Sequence, residues 1–142
     1  MGRIEDALLA VHLFGWRWAT TVRGRRFLVP PDRWMGEQYQ WPAEMMTHAL
    51  PVPRYTESGH DMLAVIEAMH AREPSHTLNL DSSTRIRRHA QPWFAEFWTW
   101  GGQNCRRGHA AADTAPMAVA LAALMALGVD LPQEGASDAA VV

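Results

Sequence analysis

Apolar positions in the first fifteen residues fall at helical spacing. Ile4, Leu8 and Val11 mark one face, which predicts a helix over residues 3–14, ended by Gly15. The period then changes. Residues 16–21 are rich in aromatic and β-branched side chains, Arg23-Gly24-Arg25 reads as a turn, and residues 26–29 return as a second strand. Pro30-Pro31 closes this hairpin, because proline cannot continue a sheet ladder. Residues 30–56 show no clean period and carry Trp34 and Trp41. Either these indoles pin the segment to a core or it is a functional loop, with room for one helical turn over residues 43–48.

Periodicity resumes at Ser58. Ser58 with Asp61 three residues on resembles a capping box, and Met62, Val65, Ile66 and Met69 form an apolar stripe. Pro74 ends that helix. Leu78 and Leu80 alternate with Thr77 and Asn79, which predicts a strand over residues 77–81. Residues 84–89 are expected to return as another strand, and residues 93–100 carry the strongest strand signal in the chain. Gly101-Gly102 breaks it. Asp113 or Thr114 then caps a last helix with Pro116 in its first turn, Met117, Leu121 and Leu124 on its buried face, and Gly128 as its stop. The order is α-ββ-α-βββ-α. It predicts an α+β domain over residues 1–128, an antiparallel sheet of about five strands sandwiched by helices, with a disordered tail over residues 129–142.

Charge and composition narrow the classes. The chain has 142 residues, the size of one domain, and a net charge of −2, which disfavours nucleic acid and anionic membrane as partners. All 13 basic side chains are arginine, consistent with codon bias; arginine also offers a planar fork suited to phosphate. Cys105 is the only cysteine, so no internal disulfide forms, which fits a cytoplasmic setting. The acidic N-terminus does not read as a signal peptide, and no apolar run is long enough to span a bilayer.

No catalytic or cofactor motif is apparent. The chain contains no glycine-rich phosphate loop, no Gly-x-Ser-x-Gly and no His-Glu-x-x-His, and its seven histidines do not pair at metal-ligand spacing. Glu96 between aromatics reads as an exposed strand residue or as a buried acid with a raised pKa. The expectation is therefore a non-enzyme with no cofactor and no metal.

The aromatics leave two readings open. Trp93, Phe94, Phe97, Trp98 and Trp100 lie within eight residues and suit a core packed on both faces. Alternatively, Trp98 or Trp100, near the strand end, stacks on a flat ligand. Asn104, Arg106 and Arg107 are expected in the loop beyond that strand. Aromatic plate, amide and guanidinium together suit a nucleobase and its phosphates; a solvated charged loop accounts for them equally well. Arg23, Arg25 and Arg26 read as a solvated turn.

Four short motifs carry a resemblance. Gly15-Trp16-Arg17-Trp18, Pro31-Asp32-Arg33-Trp34, Pro53-Arg54-Tyr55-Thr56 and the alanine-rich run from Ala112-Asp113-Thr114 through Leu124 occur in an order that resembles the phage α-β-α (ABA) sandwich proteins across residues 10–127. The Trp-rich segment 30–56 and the Trp-rich last strand depart from that pattern. The resemblance implies a phage-encoded protein in the host cytoplasm. Through relatives similar to Thoeris anti-defence sponges, it further implies a homo-oligomer that sequesters a cyclic nucleotide-derived immune signal, a cyclic ADP-ribose isomer or a cyclic oligonucleotide, without turnover. On that basis Arg87, Arg106 and Arg107 are expected to meet phosphates. Trp98, Trp100 or Tyr55 would stack on a base or lie under the ribose, Asn104 would read an edge, and Arg54 would close the site from a neighbouring subunit. Two alternatives remain: a protein-protein interaction module inhibiting a host factor or serving phage assembly, and a single-strand binder with a continuous basic groove.

Overall fold

The computed structural model describes residues 3–36, 40–42, 51–72, 76–82, 92–99 and 105–130. Helix α1 (Arg3–His12) leads into a hairpin of β1 (Arg17–Thr20) and β2 (Arg26–Val29), followed by a 3-10 turn (Pro31–Arg33). Helix α2 (Gly59–Arg72), strands β3 (His76–Ser82), β4 (Trp93–Thr99) and β5 (Cys105–Ala112), and helix α3 (Ala115–Ala126) complete it.

The five strands do not form one sheet. They make a two-stranded antiparallel sheet, β1-β2, and a three-stranded antiparallel sheet in the order β3-β4-β5. The strand expected over residues 84–89 and the tail from residue 131 lie outside the described residues, as does the helical turn expected over residues 43–48. Cys105–Ala112, where a loop was expected, forms the third described strand of the larger sheet. Its composition (Gly108, His109 and three alanines) carries little β propensity, so only pairing with β4 reveals it.

Strand alternation is clear on β4. Ala95, Phe97 and Thr99 are buried, while Phe94, Glu96 and Trp98 are half-buried. In register with the first set stand Leu78 and Leu80 on β3 and Gly108 and Ala110 on β5. Helix α3 lies against β4 and β5, and α1 and α2 pack on α3 in turn. This enclosure explains its composition. Ala118, Val119, Ala120, Ala122, Ala123 and Leu124 are all fully buried, whereas the expected face residues Met117 and Leu121 are only half-buried. Its outward stripe of Met117, Leu121 and the exposed Met125 is apolar too, so the helix has no polar face, and alanine lets neighbours approach on the covered sides.

The closest approach is at Gly108. A Cβ there would lie 2.0 Å from the Ala122 carbonyl oxygen and 2.6 Å from the Ala126 nitrogen. The α3 backbone rests directly on the β5 backbone, and only glycine leaves room for it. Around this contact Phe97, Leu9, Met69, Leu124 and Val65 are fully buried. Each contributes about 1.5–3 kcal/mol of burial.

Caps agree with the sequence pattern in part. Thr114 caps α3 by accepting from the Met117 amide (3.4 Å). Ser58 Oγ accepts from the Asp61 amide (3.3 Å), but the Asp61 carboxylate turns to the Arg54 amide (3.1 Å). The buried Asp6 ties α1 to the segment before α2. Its carboxylate pairs with Arg3 (2.9 Å) and accepts from the Thr56 amide (2.9 Å).

Candidate functional site: an indole and guanidinium cleft at the hairpin

The hairpin turn is built from Thr21 to Gly24. The Gly24 amide donates to the Thr21 carbonyl (2.9 Å), and Gly24 sits at φ +85°, where a side chain would be strained. Register then fixes the two hairpin faces. Arg17 and Ala19 share one face with Val29 and Phe27; Trp18 and Thr20 share the other with Leu28 and Arg26.

On the first face lies a small second core of Ala19, Phe27, Val29 and Trp41, with Trp34 packed against it. Trp41 meets Phe27 edge-on at 5.5 Å and lies 5.7 Å from Trp34. Its backbone is held as well: Thr21 bridges to Trp41 in parallel, and the Val22 amide donates to the Trp41 carbonyl (3.0 Å). Trp41 therefore pins the segment after the hairpin. On the second face Trp16 and Leu28 join the main core, leaving Trp18 outside.

Beside β1 opens a concavity of about 520 Å³ lined by Val11, residues 16–20, Trp34 and Trp41. Four of its lining residues are tryptophans, and its only charged side chain is Arg17. Two guanidinium groups lie over indoles here: Arg17 at 5.4 Å from the Trp34 ring centre, and Arg26 at 4.6 Å from that of Trp18. The local charge is the reverse of the chain's. Residues 16–36 carry five arginines and one acid, Asp32, a balance of +4 in a protein of net −2. A planar anion suits this cleft: indole faces and guanidinium planes stack on rings, and the excess cation favours phosphate. A cationic ligand would meet Arg17 with no carboxylate in the lining.

Of the residues expected from sequence, Arg54, Tyr55, Trp98, Arg106 and Arg107 are among the described residues, and none of the five lines this concavity. Tyr55 is buried in the main core, stacked on Phe14 at 4.7 Å and 3°. Desolvation, then the charges of Asp61 and Asp6, raise its phenol pKa far above the ordinary value. Arg54 is exposed and pairs with Glu57 (3.4 Å). Trp98 is half-buried on β4, and register sets Arg106 opposite it. Arg106 and Arg107 belong to β5 rather than to a loop; the register shifts between Phe97 and Trp98, and Arg107 Nε donates to the Thr99 hydroxyl (3.1 Å). Arg87, Trp100 and Asn104 lie outside the described residues. In the sequence the cleft residues stood out as the dense Trp and Arg of the first two motifs and as the Trp34 and Trp41 of the aperiodic segment. Among the described residues no group of three or more His, Cys, Asp or Glu could hold a metal ion, and no helix is long and apolar enough to cross a membrane.

No family model matches the chain, and no curated protein matches it. A solved structure does. The fold is similar to that of a phage protein from Bacillus cereus ATCC 14579, with a TM-score of 0.58 over 92% of this chain and 91% of that one, at 17% sequence identity. The chain thus has the fold of a phage protein.

Proposed function

We propose that this is a phage-encoded binding protein that captures a nucleotide-type ligand in the cleft beside β1 and performs no chemistry on it. The observation that carries the reading is the cleft's composition: the indoles of Trp18 and Trp34 and one guanidinium, backed by the buried Trp16 and Trp41, around about 520 Å³, within a segment of local charge +4. That volume falls within the ordinary range for small-ligand sites. In its most specific form the reading is the sponge implied by the sequence resemblance: a homo-oligomer in the host cytoplasm that lowers a cyclic nucleotide-derived immune signal by mass action. The ligand class is retained from that expectation, while the site moves from the last strands to the hairpin.

The test is direct. The purified protein is incubated with lysate of cells whose nucleotide-signalling defence has been activated, washed and heat-denatured, and the released small molecules are read by mass spectrometry. An intact nucleotide released by the native protein, and not by an Arg17→Ala/Trp34→Ala variant, is the expected result. A chemically altered product would point to an enzyme, and no released nucleotide would contradict the reading.

A protein-binding module is the second reading. It is favoured by the exposed apolar side chains Val22 and Met35 on the same hairpin region.

A further inference from the structure

The hairpin register puts the two guanidinium–indole pairs on opposite flanks of one strand. Arg17, with Trp34 beneath it, belongs to the face that carries Ala19, Phe27 and Val29. Trp18, with Arg26 over it, belongs to the other face. Successive side chains leave a strand in opposite directions, so one ring system cannot lie against both pairs. Yet Trp18 and Trp34 line the same concavity, which runs along residues 16–20.

The two pairs also differ in how they are built. Trp34 is backed by the buried Trp41, tilted 36° to it, and carries Arg17 over its ring, so a half-buried indole and a guanidinium group stand together where a base can pack. Trp18 is 44% exposed, with Arg26 over its ring. Each pair combines a flat surface with a positive charge, the two features that a nucleotide needs.

We infer that the cleft holds two ring-stacking stations, one on each flank of β1, and takes a ligand in which two nucleobases are joined through phosphate rather than a mononucleotide. This rests on the nucleotide reading above and adds the number of bases. The linking phosphate would pass along β1, beside Arg17.

Calorimetric titration of the full-length protein with AMP and with the linear diadenylate pApA tests it. The expected result is two AMP bound per chain but one pApA, with pApA bound at least about tenfold more tightly, since each stacked base adds affinity. Trp18→Ala and Arg26→Gln, both at exposed positions, should each bring pApA down to about the affinity of AMP. Equal affinities for AMP and pApA, with one AMP per chain, would overturn the two-station inference and leave the nucleotide reading standing. Failure of both probes to bind would overturn both. An affinity that keeps climbing from pApA to an eight-nucleotide strand would overturn the dinucleotide assignment in favour of a single-strand binder.

Discussion

Where α3 meets the larger sheet, contact is made by small residues: Gly108, Ala95 and Ala112 on the strands, and Ala118, Ala122 and Ala123 on the helix. At the hairpin it is made by large ones, Phe27, Trp34 and Trp41, with Arg17 laid over the Trp34 ring. The first region brings backbones together and leaves no space. The second packs wide rings edge-on and tilted, and a concavity opens beside them along β1. Both are apolar, but only the second presents aromatic surface and positive charge to solvent. Small-residue packing closes the scaffold, and the tilted indoles of Trp34 and Trp41 shape the site.

If that contrast is right, substitutions should separate stability from binding. The largest effect is expected at Gly108. Gly108→Val drives a branched side chain into the α3 backbone and should cost at least about 3 kcal/mol, read by denaturant unfolding. Asp6→Ala should follow, at about 2 kcal/mol, because it strips the buried Thr56 amide of its acceptor.

A smaller effect should come with alkaline pH. Burial and the Asp61 and Asp6 charges hold the Tyr55 phenol protonated in the fold, whereas in the unfolded chain it ionises near pH ~10. The stabilisation is complete below that pH and is lost as pH rises above it. Thermal melts of Tyr55→Phe should therefore lose less stability between pH 9 and pH ~11 than those of the native protein. Smallest of all, Trp18→Ala should change stability by less than about 1 kcal/mol, as for other exposed positions, while weakening pApA binding at least about tenfold.

Local signals made much of this fold legible. Helix α1, the hairpin with its Gly24 turn, the α2 stripe and the β4 alternation each follow from residues close in sequence, although α1 buries Asp6, Leu9 and Ala10 while the expected face of Ile4, Leu8 and Val11 is half-buried. What escaped was set by distant partners. Strand β5 is extended because it pairs with β4, although Gly108 and its alanines favour no strand. The same small residues are there because α3 needs them, a demand that only the packed structure exposes. Splitting of the strands into two sheets is likewise a matter of pairing, not of local pattern. For the site, sequence proximity drew attention to the aromatics of β4 and the arginines of β5. Ala95, Phe97 and Thr99 on β4 face the core, and Arg107 is engaged by Thr99. Trp18 and Trp34 stand sixteen residues apart, and only the chain's return past β1 brings them to one cleft.

The indole N–H resonances of the seven tryptophans offer the most direct test, recorded by NMR while pApA is added. The account predicts saturable shifts at Trp18 and Trp34, with Trp93 and Trp98 unmoved. Shifts confined to Trp98 and Trp100, or no shifts at all, would contradict it.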